Sequence, residues 1–396
     1  MNRRNFLSTA ASLPLLGTLN GVAWAATGQA NAVANAAGTT PYNNLLVLIE
    51  LKGANDGLNT VIPFANRRYA ELRPRLAIAR DQVLQLTEHE ALHPALKPLM
   101  PLWENKELAI VQGVGYPNAN LSHFRSIEIW DTASKSEEYL DAGWLARVFA
   151  QHPAPRQFAA DGVVVGSSDM GPLSGNGVRT IALADTAQFL RNARLAQPGS
   201  DQRNAALKHI LAVENEIVHA ASKLNTNRVF KTEFSRTPFG NQIRTAAQLV
   251  ASNAGMATIR LTLTGFDTHA GQLGTQANLL KELSEGIGTL KSALSELNRW
   301  DSTLVMTYAE FGRRPKENQS GGTDHGTANV HFVTGGKVAG GLYGEAPKLN
   351  QLDGNGNLAF ALDFRRHYAT VIDTWWGWNS AKVLGGKFAP MAWLKA

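Results

Sequence analysis

The sequence predicts an α/β fold, a three-layer α/β/α sandwich around a mostly parallel sheet. Two observations support this prediction. Apolar runs of strand length alternate along the chain with longer segments whose apolar residues recur at helical spacing. The strand-like runs are also continuous rather than alternating, which is typical of strands buried on both faces. A chain of 396 residues with 44% hydrophobic residues has enough apolar content for a large core.

The predicted elements follow one another in an order that suits a parallel sheet. Strands are expected at residues 45–49, 108–111, 162–166, 258–263 and 303–308. Helices are expected at residues 94–103, 122–132, 142–150, 205–224, 242–254, 279–297 and 368–378. Apolar strands separated by helices predict crossover connections and helices on both faces of the sheet.

The first 25 residues are expected to be an export signal. Arg3-Arg4 is followed by an aromatic residue and a leucine, and a weakly apolar stretch then ends in Ala23-Trp24-Ala25, a cleavage pattern of small residues. This stretch is too short and too interrupted to form a stable membrane span. A twin-arginine signal predicts passage through the twin-arginine translocase and a periplasmic or secreted location. The alternative is an ordinary amphipathic N-terminal helix.

The rest of the chain is expected to form one domain. Residues 26–42 are rich in Ala, Gly, Asn and Thr, which predicts a flexible linker. Residues 43–396 then form a single α/β domain, in which the less regular segment 155–227 is a possible cap or insertion.

The composition excludes several kinds of chemistry. There is no cysteine, so disulfides, iron–sulfur clusters and thiol nucleophiles are excluded, and a metal must be held by His, Asp, Glu or other oxygen donors. The formal net charge is +6, but no run of Lys and Arg suggests binding to nucleic acid. A modest basic excess is compatible with an anionic substrate.

Acidic and histidine side chains follow three predicted strands and occupy one later glycine-rich loop. They are Asp56, Asp267, His269, Glu310 and His325. Ligand sites in such folds lie outside the carboxyl ends of the strands, so we expect these residues to bind one or two divalent ions. The donors favour zinc first, with calcium, manganese or magnesium as alternatives. Each residue also has a simpler interpretation, as a turn former, a packing histidine, a surface ion pair or a plain loop residue.

An oxygen nucleophile is expected at the start of the helix over residues 122–132. Ser122 there would lie at the positive end of the helix dipole, among amides that attract anions. Arg125, one turn later, could bind a phosphate or sulfate group. His123 is a candidate metal ligand or acid–base group. The alternative is that Ser122 is only a helix cap.

The polar segments form an ordered series of motifs along the chain. The series includes Gly-Ala-Asn-Asp-Gly-Leu-Asn-Thr (53–60), Ser-His-Phe (122–124), Gly-Phe-Asp-Thr-His (265–269), Glu-Phe-Gly-Arg-Arg (310–314) and Thr-Asp-His-Gly (323–326). Together with the twin-arginine start, it resembles the exported bacterial family known as domain of unknown function 1501. That family is grouped with the alkaline phosphatase and sulfatase superfamily.

The resemblance implies an alkaline-phosphatase-like fold and a role for each matching residue. Asp56 corresponds to a metal aspartate after the first strand, and Ser122 to the nucleophile. Asp267 and His269 correspond to an Asp…His ligand pair, and His325 to a later metal histidine. Glu310 stands where relatives carry an Asp-His pair, with Phe311 in place of the histidine, so the number of metal ions stays open at one or two.

Three functions remain open. The first is an exported, metal-dependent hydrolase of phosphate or sulfate esters, acting on an anionic small molecule or polymer. Phosphate ranks above sulfate because the usual cysteine-based sulfatase motif is absent. The second is a non-catalytic envelope protein of the same fold that binds a glycan, a polymer or a protein partner. The third is a metal-dependent isomerase or phosphotransferase.

Overall fold

The strands of the protein are short, except for those at the centre of the main sheet. The computed structural model describes residues 17–19, 22–25, 41–183, 190, 191, 193, 222, 223 and 228–395. Its strands are β1 (Gly17–Leu19), β2 (Val22–Ala25), β3 (Leu45–Lys52), β4 (Val61–Ile62), β5 (Leu84–Gln85), β6 (Ala91–Leu92), β7 (Leu108–Gly115), β8 (Gly162–Val165), β9 (Thr180–Leu183), β10 (Thr258–Thr264), β11 (Thr303–Tyr308), β12 (Arg313–Glu317), β13 (Thr323–His325), β14 (Asn329–Thr334), β15 (Gly341–Gly344) and β16 (Leu362–Asp363).

The helices lie mainly between these strands. The α-helices are α1 (Arg67–Leu72), α2 (Met100–Glu104), α3 (His123–Thr132), α4 (Trp144–Gln151), α5 (Pro238–Ala251), α6 (Gln272–Glu296), α7 (Arg365–Ala369) and α8 (Ser380–Leu384). Short 3₁₀ helices cover Pro41–Asn43, Gly57–Asn59, Pro94–Leu99, Gly171–Leu173 and Trp300–Ser302, and a π-helix covers Thr370–Trp375. Within the described part of the chain, no helix combines the length and apolar content needed to cross a membrane.

One large mixed sheet forms the middle layer. Its strand order is β1-β2-β9-β8-β10-β3-β11-β14-β7-β15, and β16 also pairs with β7. Strand β3 lies at the centre between β10 and β11, and it is parallel to both. Two strands run against the others, namely β14, between β11 and β7, and β2, which pairs with β1 and β9 near one edge. The sheet is therefore mostly parallel around β3, as the continuous apolar runs predict.

Helices cover both faces of this sheet. Alternate residues of β3 belong to different apolar cores, because successive side chains of a strand point to opposite faces. Val47 and Ile49 pack with residues of α5 and α6, whereas Leu46 and Leu48 pack with residues of α3, α4 and α7. The predicted α/β fold with three layers is confirmed.

The parallel strands end at a common edge. In the register of the sheet, Thr264 of β10 lies opposite Lys52 of β3, and Tyr308 of β11 lies opposite Glu50. The loops after β3 and β10 then approach closely: a side chain at Gly53 would have its Cβ 2.4 Å from the backbone nitrogen of Asp267. Gly53 also has a φ of +108°, so only glycine satisfies both the space and the conformation.

Most predicted elements are confirmed, with shifted ends. All five predicted strands are present, and α3, α4, α5 and α6 match predicted helices. Helix α5 begins earlier than expected because Thr237 caps it and Pro238 occupies its first turn. The segment 94–103 is a 3₁₀ helix followed by α2, and 368–378 is divided between α7 and the π-helix. The predicted helix over residues 205–224 falls almost wholly outside the described residues.

The proposed cap region is only partly described. Strands β8 and β9, from the first part of segment 155–227, belong to the main sheet. Most of residues 184–227 and most of the linker at 26–42 are outside the described residues. A cap or insertion and the single-domain organisation stay predictions. The two edge strands β1 and β2 fall within the segment that we expect to be the export signal.

A buried histidine pair lies between the sheet and α7. The rings of His331, on β14, and His367, on α7, are perpendicular, with centroids 6.5 Å apart. Burial lowers the pKa of each ring from 6.5 to about 3. Both imidazoles are therefore neutral in the folded protein at any pH above that value.

We predict that this pair makes the protein sensitive to acid. A histidine whose pKa is lowered by folding stabilises the native state above the unfolded pKa, and that stability is lost as the pH falls from about 6.5 to about 3. Each ring should contribute a slope of about 1.4 kcal/mol per pH unit to the free energy of unfolding within this window. His331→Leu should remove one such contribution in urea denaturation at pH 4 to 6, whereas His89→Leu, at an exposed histidine, should not. Equal slopes in the two variants would contradict the assignment.

Candidate metal centre

Three imidazole nitrogens and one carboxylate oxygen converge beyond the carboxyl ends of the central strands. The Nε2 atoms of His123 and His325 are 3.0 Å apart. Asp267 Oδ1 lies 3.4 Å from the first and 3.5 Å from the second. His269 Nε2 is 3.0 Å from both His325 Nε2 and Asp267 Oδ1. We call these four residues the metal cluster.

Local backbone structure brings the four side chains together. His123 is the first residue of α3, after the loop that leaves β7. Asp267 and His269 lie in the loop after β10, which turns tightly because the amides of Thr268 and His269 bond to carbonyls two residues earlier. His325 is the last residue of β13. Turns, and not an extended strand, therefore bring the side chains of Asp267 and His269 to the same side of the loop.

The spacing of these atoms fits the ligands of a tetrahedral ion. Zinc is bound by nitrogen and oxygen at about 2.0–2.1 Å, which places tetrahedral ligand atoms about 3.3–3.4 Å apart. The three separations among His123, Asp267 and His325 are 3.0, 3.4 and 3.5 Å. These three residues form a group that could hold a metal ion. The donor set of two or three imidazoles and one carboxylate is also typical of zinc.

Acceptors outside the cluster fix which nitrogen of each ring carries its proton. His325 Nδ1 lies 2.8 Å from the carbonyl oxygen of Leu121, which can only accept a hydrogen bond. His123 Nδ1 lies 2.6 Å from Glu310 Oε1. In the neutral rings the proton is then on Nδ1 and the lone pair is on Nε2. The two lone pairs face each other at 3.0 Å, and only a proton or a cation between them makes this arrangement favourable.

The pKa values of the two rings shift in opposite directions. The hydrogen bond to Glu310 raises the pKa of His123, whereas burial lowers the pKa of His325. Two imidazolium rings cannot face each other at this distance, so besides the proton on each Nδ1 the pair can hold at most one more, between the two Nε2 atoms. A divalent ion replaces that proton when it binds, as expected of histidine ligands.

Asp267 is held by a buried guanidinium. Burial of Asp267 raises its pKa, but the hydrogen bond and charge of Arg313 outweigh this effect and keep the pKa below the ordinary value. Arg313 Nη2 lies 2.5 Å from Asp267 Oδ1 and is fully buried, whereas half of the carboxylate side chain is exposed. Asp267 is therefore ionised and accessible from solvent at neutral pH.

His269 is the most exposed histidine of the cluster. Its side chain is 47% exposed, against 28% for His123 and 25% for His325. Its Nδ1 lies 3.4 Å from Asp324 Oδ1, a longer contact than the corresponding ones of the other two rings. His269 is thus a fourth donor that is less firmly held than the others.

Ser122 lies immediately before the first ligand. It occupies the N-cap position of α3 in an extended conformation, but its side chain makes no capping hydrogen bond. Ser122 is exposed, and the first amides of the helix that follows it lack intrahelical acceptors. The hydroxyl therefore does not have the capping role that was the alternative. Its role as a nucleophile stays a prediction.

The structure does not bring Asp56 into the cluster. Its carboxylate is buried and forms a two-point ion pair with Arg73, and it also accepts hydrogen bonds from Leu58 N and Gln272 Nε2. All of its acceptor capacity is used inside the protein, and the guanidinium would repel a metal ion. Asp56 therefore lies outside the metal cluster, where it anchors the loop after β3, and these contacts give no support to the expectation that it is a ligand.

Glu310 and Arg125, also expected at the site, lie outside the metal cluster. Glu310 Oε1 bonds to His123 Nδ1 and to the amide of Gly53, a position from which Glu310 would orient His123. Arg125 is not free to bind an anion: it pairs with Glu128, stacks on the ring of Tyr139 and donates to backbone carbonyls after α3. Its positive charge therefore interacts with carbonyl groups of the segment that follows α3.

Sequence patterns did not reveal several supporting residues. Phe311 packs against both His123 and His325, with ring centroids 4.9 Å from each. Arg313 and Asp324 belong to polar motifs that the sequence singled out, but their partners are set by loops distant in sequence. Arg73 belongs to no motif, and only its burial beside Asp56 shows its role.

Comparisons with known proteins give a family and a set of distant structures. A family model described as protein of unknown function (DUF1501) matches residues 98–385. A search of the curated proteins found no match. Similar solved structures include the lipoteichoic acid synthase LtaP from Listeria monocytogenes, at 9% identity and TM-score 0.38, over 87% of this chain and 75% of that one.

Two other similar structures share this level of likeness. The zinc complex of the periplasmic domain of EptC from Escherichia coli has 8% identity and TM-score 0.38, over 74% of this chain and 73% of that one. A protein of the alkaline phosphatase superfamily from Vibrio parahaemolyticus has 10% identity and TM-score 0.38, over 77% and 63%.

We predict that the purified protein binds one zinc ion per chain through the metal cluster. In a metal titration followed by elemental analysis, His325→Ala should lose stoichiometric binding because it removes the donor at the centre of the cluster. Glu310→Gln should weaken binding by about 10–100-fold, the usual effect of changing a group that orients a ligand. His89→Ala, at an exposed histidine outside the cluster, is the control.

The order of these effects tests the assignment of Glu310. If Glu310 were itself a ligand, Glu310→Gln would be as damaging as His325→Ala. Retention of one tightly bound ion in His325→Ala would show that the metal cluster is not a metal site.

Proposed function

The chain belongs to the family of proteins of unknown function DUF1501, and we propose that it is a metal-dependent hydrolase of phosphate or sulfate esters. One observation carries this proposal. The inner nitrogens of His123 and His325 are aimed at Asp267 Oδ1 because their outer nitrogens are engaged by Glu310 and Leu121. Such an arrangement, accessible at the carboxyl edge of the sheet, is typical of a catalytic metal site.

His123, Asp267 and His325 would hold the ion, with His269 beside them. A divalent ion bound there supplies Lewis acidity and lowers the pKa of an oxygen nucleophile. The cluster contains or contacts three carboxylates, Asp267, Asp324 and Glu310, and the single guanidinium of Arg313. The excess of two negative charges suits a divalent cation.

Ser122 is the proposed nucleophile. Its Oγ would form a bond to the phosphorus or sulfur atom while the bond to the alcohol oxygen breaks, and the proton of the Ser122 hydroxyl would pass through solvent to the departing alcohol oxygen. Water then cleaves the seryl ester, releases phosphate or sulfate and restores the hydroxyl. The unpaired amides at the start of α3 favour the negative charge of the group being transferred.

A non-catalytic envelope protein is the second candidate. It is favoured by the fourth donor, His269, because four protein ligands are typical of structural zinc sites, whereas catalytic sites keep one position open. In that case the ion would stabilise the loops after β10 and β13, and the surface around it would bind a polymer or partner.

We also propose that the protein acts outside the cytoplasm. The proposal is supported by Arg3-Arg4 with the following apolar stretch and by the absence of cysteine. Cell fractionation followed by N-terminal sequencing tests this proposal: we expect a processed chain outside the cytoplasm, and a chain that stays in the cytoplasm and starts at Met1 would contradict it.

We predict that Ser122→Ala abolishes hydrolysis without loss of the metal. The rate of hydrolysis of aryl phosphate and aryl sulfate by the zinc-loaded protein should fall by roughly a thousandfold or more, because the covalent step requires the hydroxyl. The zinc content should stay at that of the wild type. Ser295→Ala, at a serine of α6 far along the chain from the cluster, is the matched control.

Two results would contradict this mechanism in different ways. Full activity in Ser122→Ala would exclude the serine nucleophile but leave a metal-dependent hydrolase. The absence of hydrolysis in the zinc-loaded wild type for both ester classes would favour the non-catalytic candidate.

A further inference from the structure

A cavity of about 280 Å³ lies beside the metal cluster at the same edge of the sheet. Its walls come from the loop after β3, from β7, from the start of β14 and from the segment that precedes β16. Apolar side chains line one part of it, including Leu58, Val61, Val330, Leu358 and Phe360, and polar side chains such as Gln112, Asn329 and Gln351 line the rest. The volume is at the lower end of the range of small-molecule sites.

The cavity and the metal cluster share a wall, the segment from Phe311 to Arg313. The ring of Phe311 packs on His123 and His325, while its carbonyl accepts a hydrogen bond from the cavity residue Asn329. Arg313 borders the cavity and also holds Asp267. One molecule could therefore contact both sites if it extends from the cluster past Phe311.

The charged groups and most of the amide groups around the cavity are already engaged within the protein. Gln112 Nε2 donates to Glu90, and Asn329 bonds to the backbone of Phe311 and Val330. The ammonium of Lys348 pairs with Glu345 at the mouth of the cavity. The cavity therefore offers apolar surface and little free charge, which suits an uncharged group and not the anionic part of an ester.

Exposed apolar side chains also occur in the segments that carry the site. Phe124, directly after His123, is 89% exposed, and Leu273, four residues after His269, is 41% exposed. Phe360 lines the cavity and is 37% exposed. Large apolar side chains with this exposure often mark a binding surface when they occur together. Phe360 belongs to the cavity itself, and Phe124 and Leu273 add exposed apolar surface in segments next to the metal cluster.

We propose that this cavity is the subsite for the alcohol part of the substrate, and that this part is an apolar aryl or alkyl group. The inference rests on the proposed hydrolase and names its substrate class, an amphiphilic ester whose anionic group lies at the metal cluster. If each non-hydrogen atom of a ligand takes about the volume of one water molecule, about 30 Å³, the cavity has room for on the order of ten such atoms.

A bulky side chain introduced at the rim of the cavity tests the proposal, because it would occupy the space that the ligand needs. Ala359 lines the cavity and is exposed, so Ala359→Trp should fold normally and occupy part of the space. Ala70→Trp, at an exposed alanine of α1, is the matched control. Binding of 1-naphthol, followed by its fluorescence in zinc-free protein, measures the subsite without any hydrolysis. Wild type and Ala70→Trp should bind it equally, and Ala359→Trp at least tenfold more weakly.

A second measurement links the subsite to catalysis. In zinc-loaded protein, Ala359→Trp should raise the KM for 1-naphthyl phosphate at least tenfold and leave the KM for glycerol phosphate unchanged. If Ala359→Trp weakens the binding of 1-naphthol but no ester is hydrolysed, the result supports a binding site in the cavity and contradicts the proposed hydrolase. If naphthol does not bind, or binds equally to both tryptophan variants, the subsite proposal is overturned whatever the activity.

Discussion

The guanidinium of Arg313 is the interaction on which the site depends. It is fully buried and bonds to five acceptors, namely Gly53 O, Ala54 O, Phe266 O, Asp267 Oδ1 and Thr323 O. These acceptors belong to the ends of β3 and β10 and to the start of β13, which are distant in sequence. A buried cation must have its donors satisfied, so these three segments can adopt only arrangements that surround it. The same constraint fixes Asp267, and with it the position of the metal cluster.

A second buried ion pair, between Arg73 and Asp56, also holds the loop after β3. Arg73 binds Asp56, and Gln272, at the start of α6, bonds to the same carboxylate. The loop after β3 is thus tied both to Arg313 through its carbonyls and to Arg73 through Asp56. Both attachments are buried, so they fix the loop without any contact on the solvent-facing side of the metal cluster. This division explains why carboxylates at similar places in the sequence differ in role: Asp56 is structural, whereas Asp267 faces the solvent.

The sequence predicted the part of the site that depends on strand order. Continuous apolar runs identified the central strands, and parallel strands must end at one edge, so the sequence alone is enough to expect Asp267, His269 and His325 near each other. What could not be predicted is which atom of each residue faces inward. Glu310 lies outside the metal cluster because its carboxylate contacts Nδ1 of His123, whereas Nε2 of the same ring faces the cluster. Strand β14 was missed for a related reason, since its antiparallel place between β11 and β7 depends on long-range pairing and not on a local pattern.

The balance between a catalytic and a structural ion depends on His269. Two rings are fixed by short contacts, His123 to Glu310 at 2.6 Å and His325 to Leu121 O at 2.8 Å. The contact of His269 with Asp324 is 3.4 Å, and both side chains are about half exposed. A structural site requires all four ligands to be held firmly, because an exposed, loosely held ligand contributes little to the stability of a loop. If an ion were held by three firm donors and one that yields to solvent, a coordination position would be open on the side where Asp267 and His269 are exposed. This geometry agrees better with the proposed catalytic ion than with a purely structural one.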